Sequence, residues 1–172
     1  MIVYLDASAL VKRYVAEAGS AEVVELIGQA EAVGTAVISR AEVAAALAKA
    51  SRIQVLPRDE AVSALKVFNR EWENLVRLQM TEGLVSRAAS LAWDYGLRGY
   101  DAVHLASALS WQDMMGAAIT VASYDRQLWQ AVKANGLIAW PDHSHEYLRH
   151  SLKSSCWLPR LCKDGGRRCW IR

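Results

Sequence analysis

Short apolar segments alternate with helix-forming segments along most of this chain, and this alternation constrains the fold more than any other feature. The apolar segments are rich in Val, Ile, Leu and Ala, which predicts buried strands. They are residues 2–5 (IVYL), 35–38 (TAVI), 76–80 (VRLQM), 117–123 (AAITVAS) and 137–140 (LIAW). Strands that alternate with helices favour βαβ units with right-handed crossovers, so we predict an α/β fold with a central parallel sheet.

The predicted helices begin at residues that commonly start helices. Serine, threonine and aspartate accept hydrogen bonds from the first free N–H groups of a helix, and proline suits the first turn. We expect these starts at Ser8, Ser20, Ser39, Pro57, Thr81, Asp101 and Asp125. The helix that Pro57 opens is predicted to extend to about Leu75, and the helix after Asp125 to end at Gly136.

Charge and cysteine content divide the chain near Pro141. Residues 1–142 carry a net charge of −3, whereas residues 143–172 carry +5, all three cysteines and three of the four histidines. We therefore predict a domain over 1–142 and a basic extension over 143–172 that is poorly ordered or packs peripherally. The alternative, an extension that binds zinc or RNA, is disfavoured because its cysteine spacing, C-x5-C-x6-C, is not a recognised zinc pattern.

No apolar stretch reaches the roughly 18 residues that a membrane-spanning helix requires. The first residues, MIVYLDAS, lack the basic and long apolar regions of a signal peptide. We expect a cytoplasmic protein without a membrane partner.

Four carboxylates lie where predicted strands and helices meet. Asp6 ends the first strand, Glu42 lies in the first turn after the second strand, and Asp125 opens the helix that follows a later strand. In a parallel sheet these three project from one edge, the edge at which α/β proteins place their sites. Asp101 joins them if its helix begins at the same edge.

Each acid also has a purely structural interpretation. Acids near helix N-termini are stabilised by the helix dipole, by roughly 0.3–1 kcal/mol. Ser39 and Glu42 have the S-x-x-E spacing of a capping box. A cluster of four acids repels itself, however, and no Lys or Arg is placed in register with all four. The combination therefore predicts a bound Mg²⁺ or Mn²⁺ ion, because these metals prefer hard oxygen ligands.

A divalent ion held by carboxylates can activate water and neutralise charge that develops on a phosphodiester. Ser8 and Ser123 lie two residues from Asp6 and Asp125; they either orient water or phosphate, or simply cap helices. His104 is predicted to be a packed, hydrogen-bonded residue rather than a metal ligand. The chain contains no Gly-rich phosphate loop and no G-x-S-x-G motif.

The acid pattern resembles that of PIN-domain nucleases, and among them the VapC-type toxins of toxin–antitoxin pairs. The matching segments are IVYLDASALVKRY, SRAEVAAALAKA, GLRGYDAVHLASAL and VASYDRQL, within about residues 1–140. The resemblance implies a three-layer α/β/α sandwich and an endoribonuclease that cleaves tRNA, rRNA or mRNA. It also implies Mg²⁺ or Mn²⁺ bound by Asp6, Glu42, Asp101 and Asp125, a homodimer, and a small antitoxin as partner.

The acidic charge of residues 1–142 is unusual for an RNA-binding protein. Arg98 and Arg126 are candidates for contacts with the RNA backbone because they lie beside Asp101 and Asp125, and Arg13 and Arg40 lie near the acidic junctions too. Two alternatives stay open: a nuclease of RNA maturation or decay without an antitoxin, and a non-catalytic protein-binding module whose acids only cap helices. Sequence patterns predict neither the RNA target nor the number of metal ions.

A set of apolar residues on the helices predicted around 8–30 and 58–75 either lines a partner groove or, as we favour, belongs to the core. The set comprises Val11, Tyr14, Val15, Leu65, Phe68 and Trp72.

Overall fold

The computed structural model describes residues 1–142, and within this range five strands form one parallel sheet in the order β3-β2-β1-β4-β5. The parallel α/β fold predicted from the sequence is confirmed. The strands are β1 (Ile2–Leu5), β2 (Ala32–Ala36), β3 (Val76–Leu78), β4 (Ile119–Ala122) and β5 (Ile138–Trp140).

Helices connect the strands and cover both faces of the sheet. They are α1 (Ala7–Leu10), α2 (Ser20–Gly28), α3 (Ser39–Arg52), α4 (Arg58–Glu71), α5 (Glu82–Tyr95), α6 (Gly99–Met115) and α7 (Arg126–Ala134). Two 3-10 turns, Val11–Arg13 and Trp72–Asn74, extend α1 and α4. Among residues 1–142, no helix has the length and apolar character needed to cross a membrane.

The core consists of two apolar layers, one on each face of the sheet. Successive residues of β1 point to opposite faces: Tyr4 packs with α5, α6 and α7, whereas Val3 and Leu5 pack with α1, α2, α3 and α4. This arrangement confirms the three-layer α/β/α sandwich. Phe68 and Trp72 are buried, and the partly buried Val11, Tyr14, Val15 and Leu65 pack against the same layer, in agreement with their prediction as core residues.

The predicted position of β2 was wrong by several residues. Its register with β1 begins at Ala32, opposite Ile2, whereas residues 35–38 were predicted. Gly34 interrupts the apolar pattern, and the sequence alone suggests no reason for it. The structure explains the glycine, because a Cβ at position 34 would lie 2.5 Å from the Trp111 ring of α6.

The predicted serine caps are not formed, although α2 and α3 begin at Ser20 and Ser39 as predicted. Asp6, not Ser8, caps α1; Gly19 and Ile38 occupy the cap positions of α2 and α3; and α6 begins at Gly99, two residues before Asp101. The Ser20 hydroxyl instead donates to the Val15 carbonyl at 2.7 Å. The predicted cap at Thr81 is confirmed by its hydrogen bond from the Leu84 N–H, 3.2 Å.

The helix that follows Pro57 ends as an α-helix at Glu71 and continues as a 3-10 turn, slightly short of the predicted Leu75. The predicted extension over 143–172, and its boundary with the domain, lie outside the described residues.

Candidate active site

The candidate site lies at the carboxyl ends of β1, β2 and β4. The end of β1 pairs with the end of β4 through Leu5 and Ala122, and the Asp6 N–H donates to the Ala122 carbonyl at 3.1 Å. Thr35 near the end of β2 donates its hydroxyl to the Leu5 carbonyl at 2.7 Å. These contacts hold together the three chain segments from which the predicted acids project.

Asp6 is the buried centre of this edge, with 3% of its surface exposed. Its Oδ1 accepts hydrogen bonds from the Ser8 hydroxyl at 2.7 Å and the Ala9 N–H at 2.8 Å, and its Oδ2 accepts one from the Ser123 hydroxyl at 2.7 Å. Burial raises the pKa of Asp6 above its ordinary value, while His104 and these donors oppose the rise. The local structure therefore orients the carboxylate and compensates part of the cost of burying its charge.

Ser8 and Ser123 connect the two loops at this edge and are not free hydroxyls. Besides donating to Asp6, the Ser8 oxygen accepts from the Tyr124 N–H at 2.8 Å, and the Ser123 oxygen accepts from the Asp125 N–H at 3.1 Å. The predicted role of Ser8 as a helix cap is wrong because Asp6 occupies the cap position.

Asp125 is the N-cap of α7, as its position after β4 suggests. Its Oδ1 accepts from the N–H groups of Gln127 at 2.8 Å and Leu128 at 3.0 Å. Arg126 follows it as the first residue of α7 and is exposed.

Asp101 lies in the first turn of α6 but does not cap the helix, because the cap residue is Arg98. Its Oδ2 is buried and has no hydrogen-bond partner among the described residues. Burial, followed by the charges of Asp125 and Asp6, raises the pKa of Asp101 to about 6, against the opposing charge of Arg98. The structure thus brings Asp101, Asp6 and Asp125 within electrostatic reach of one another, with the exposed Arg98 beside them.

Glu42 reaches the site from the first turn of α3. The predicted capping box is not formed: the Ser39 hydroxyl bonds to the Thr35 hydroxyl at 2.6 Å, and Glu42 Oε2 lies 2.9 Å from His104 Nε2. The other ring nitrogen of His104 lies 2.8 Å from the Tyr4 hydroxyl. The prediction that His104 is packed and hydrogen-bonded is confirmed.

Tyr4 is a participant that the sequence interpretation missed. Burial raises the pKa of its hydroxyl far above its ordinary value, so the hydroxyl keeps its proton at all ordinary pH values. The available signal was a tyrosine in an otherwise apolar buried strand, since a buried Tyr O–H normally requires a partner.

The four acids do not form a ready-made cage. Within residues 1–142, no three His, Cys, Asp or Glu side chains come close enough to hold one metal ion jointly. Mg²⁺ commonly binds proteins through one or two carboxylates and keeps several waters, so such a cage is not required. The buried Asp101 Oδ2, which lacks a protein donor and faces two further acids, fits a hard cation.

Comparisons with known proteins agree with this fold. A family model described as PIN domain matches residues 3–133. Two relatives from Mycobacterium tuberculosis, Ribonuclease VapC45 of strain CDC 1551 / Oshkosh and Ribonuclease VapC49 of strain ATCC 25618 / H37Rv, are each 36% identical over 135 residues, which is 78% of this chain and 92% of theirs.

Solved structures with the same fold include PAE2754 from Pyrobaculum aerophilum and VapBC2 from Rickettsia felis bound to a DNA fragment from their promoter. The first has a TM-score of 0.57 at 20% identity and covers 90% of this chain and 97% of its own. The second has a TM-score of 0.54 at 14% identity and covers 81% of this chain and 97% of its own.

Proposed function

This chain belongs to the PIN domain family, and we propose that it is a metal-dependent endoribonuclease acting as the toxin of a type II toxin–antitoxin pair. The observation that carries the proposal is Asp101: a carboxylate oxygen buried without a protein donor, beside Asp6 and Asp125. The two relatives named ribonuclease support the activity.

The ion would lie among Asp6, Glu42, Asp101 and Asp125, bound directly by one or two of these carboxylates and through its waters by the others. A bound Mg²⁺ or Mn²⁺ supplies a water of lowered pKa and positive charge for the phosphodiester in the transition state. Ser8, Ser123 and the Ala9 N–H orient the Asp6 carboxylate and oppose the rise of its pKa that burial causes. Arg98 and Arg126, both exposed at this edge, are placed to contact RNA phosphates, so local basic residues compensate for the acidic charge of the domain.

The partners we propose are RNA, a small antitoxin that neutralises the enzyme, and a second copy of the chain, with the cytoplasm as the compartment. The antitoxin is what the resemblance to VapC-type toxins implies, and the VapC names of the two relatives agree with that resemblance. Co-expression with the product of a small neighbouring open reading frame should relieve growth arrest if the chain is a toxin. A chain that cleaves RNA without arresting growth would instead support a role in RNA maturation or decay.

The alternative of a non-catalytic module explains only half of the acids. Asp6 and Asp125 do cap α1 and α7, but Asp101 and Glu42 cap no helix. A module of this kind has no need for an unpartnered buried carboxylate, which costs free energy without adding stability.

The test is cleavage of total RNA, with the tRNA and rRNA fractions resolved on a gel. Wild-type protein with Mg²⁺ or Mn²⁺ should cut RNA, and EDTA should stop the reaction. Asp101→Asn, nearly isosteric but uncharged, should abolish cleavage. Asp113→Asn is the matched control, since Asp113 lies on the same helix and forms only an exposed ion pair with Arg87. Equal cleavage by Asp101→Asn and wild type would overturn the proposal.

A further inference from the structure

Tyr4, His104 and Glu42 form a chain of hydrogen bonds that leads from the interior of the sandwich to the candidate site. The Tyr4 hydroxyl lies 2.8 Å from His104 Nδ1, and His104 Nε2 lies 2.9 Å from Glu42 Oε2. The three residues belong to β1, α6 and α3, so the chain connects three separate elements. Tyr4 and His104 are buried, whereas Glu42 is partly exposed at the end of the chain.

The donor in the hydrogen bond between His104 and Glu42 follows from the chemical nature of the two groups. A carboxylate only accepts hydrogen bonds, so His104 Nε2 carries the hydrogen that Glu42 receives, whether the imidazole is neutral or charged. When the ring is neutral, the protonated Tyr4 hydroxyl donates to Nδ1, which selects the tautomer with hydrogen on Nε2. Tyr4 therefore favours the tautomer of His104 in which Nε2 carries the hydrogen for Glu42.

His104 also couples two of the acids mechanically. It lies three residues after Asp101 on α6, nearly one turn along the same helix. The helix that presents Asp101 thus also holds the carboxylate of Glu42, which comes from α3. A glutamate without such a partner samples several rotamers, and ordering it costs conformational entropy when an ion binds.

We propose that His104, oriented by Tyr4, is a positioning residue that holds Glu42 in a single orientation for the metal site. This inference rests on the proposed function, because it assigns His104 a part in the same site. His104 touches neither ion nor substrate; it acts through Glu42, as hydrogen-bonded partners of ligands do in other metal sites. The competing interpretation is that His104 only fills space between the sheet and α6.

Two substitutions of His104 separate these interpretations. The amide nitrogen of glutamine reaches approximately the position of Nε2, whereas that of asparagine reaches only the position of Nδ1. His104→Gln therefore keeps a donor for Glu42, and His104→Asn loses it. Both replace the ring by a smaller amide, and asparagine leaves the larger cavity. The thermal melts report that packing loss, and the Glu42→Gln background separates it from the loss of the hydrogen bond.

The measurement is Mn²⁺ binding to the full-length protein by titration calorimetry, with a thermal melt of each variant. We expect His104→Asn to weaken Mn²⁺ binding by about 10- to 100-fold, and His104→Gln to stay close to wild type. In a Glu42→Gln background, His104→Asn should have little further effect, because His104 acts through the Glu42 carboxylate. Equal Mn²⁺ affinity of the two His104 variants, whether both weak or both normal, overturns the proposal.

Tyr4→Phe keeps the test decisive if His104→Asn does not fold. It removes one hydroxyl and almost no volume, and we expect a weaker affinity for Mn²⁺ that again disappears in the Glu42→Gln background. Unchanged affinity in Tyr4→Phe would overturn the proposed chain. Failure of the proposed function looks different, since wild-type protein would then neither bind Mn²⁺ nor cleave RNA.

Discussion

The two acids that follow β1 and β4 are held by their neighbours in sequence, whereas the two on α3 and α6 are not. Asp6 receives the N–H of Ala9, and Asp125 receives those of Gln127 and Leu128. Asp101 Oδ2 has no donor among the described residues, and Glu42 depends on a histidine 62 positions away. One half of the site is therefore built from local structure and the other half from tertiary contacts.

The difference has an energetic consequence. A capping carboxylate stabilises its helix, so Asp125 contributes to folding even without a metal ion. At Asp6 the capping hydrogen bond offsets part of the cost of burial, which raises the pKa of this carboxyl. Asp101 is buried close to like charges, which raises its pKa and destabilises the metal-free protein at neutral pH. A destabilising buried charge of this kind is typical of functional sites, where activity is gained at the expense of stability.

The largest effect should come from Asp101→Asn. Removing the charge of Asp101, whose buried Oδ2 has no donor among residues 1–142, should lower kcat/KM for RNA cleavage by about 100- to 1000-fold, a loss comparable to that of one strong electrostatic contact in a transition state. The measurement is the initial rate on a defined RNA fragment in Mn²⁺. A loss below tenfold would mean that the unpartnered acid is not the electrostatic centre of the site.

The next largest effect tests the contact that joins the two capping acids. Ser123→Ala removes one of the two donors to Asp6 Oδ2, the other being Ser8, and it removes the acceptor of the Asp125 N–H. Leaving buried polar groups unsatisfied should lower the free energy of unfolding by about 1–3 kcal/mol, measured by urea denaturation without metal. Ser63→Ala, on the exposed face of α4, is the control. A Ser123→Ala loss no larger than that of the control would refute the supporting role.

The same division explains what could be predicted from the sequence. The alternation of strands and helices, the caps at Thr81 and Asp125 and the position of Asp6 at the end of β1 depend on residues close in the chain, and these predictions were confirmed. Ser39 and Glu42 also had a local pattern, the capping box, but it was wrong. The Ser39 hydroxyl bonds to Thr35 instead, and the Glu42 carboxylate bonds to His104. Of these two partners, only His104 is remote in sequence.

Tertiary packing accounts for the other errors. The early start of β2 includes Gly34, whose lack of a side chain makes room for Trp111 on α6. In the sequence, Tyr4 is one residue of an apolar strand, and its role follows only from its contact with His104. Such contacts carry no sequence signature, because neither partner is recognisable without the other.

A smaller effect concerns the pH dependence of the metal-free protein. The folded-state pKa of Asp101, about 6, exceeds the ordinary value of 3.8. Its protonated form therefore favours the folded state, and this stabilisation is complete below about pH 4 and lost as the pH rises through 6. Because Asp101 is partly exposed, solvent screens the effect, and we expect a loss of about 1–2 kcal/mol.

The comparison of wild type with Asp101→Asn isolates this contribution. The two proteins should have similar free energies of unfolding at pH 4, and the variant should be the more stable one at pH 8, measured by urea denaturation in EDTA. A difference that does not change with pH would contradict the assignment of the raised pKa to Asp101.

The smallest effect distinguishes charge from capping at Asp125. Asparagine caps helices about as well as aspartate, so Asp125→Asn should change the free energy of unfolding by only a few tenths of a kcal/mol, whereas Asp125→Ala should cost about 1 kcal/mol.

Asp125→Asn nevertheless removes one of the charges that raise the pKa of Asp101. The pKa of Asp101, followed by carboxyl ¹³C resonances in the metal-free protein, should therefore fall toward its ordinary value. An unchanged pKa of Asp101 would show that Asp125, the cap of α7, has no electrostatic interaction with Asp101 on α6. The two halves of the site would then be electrostatically independent.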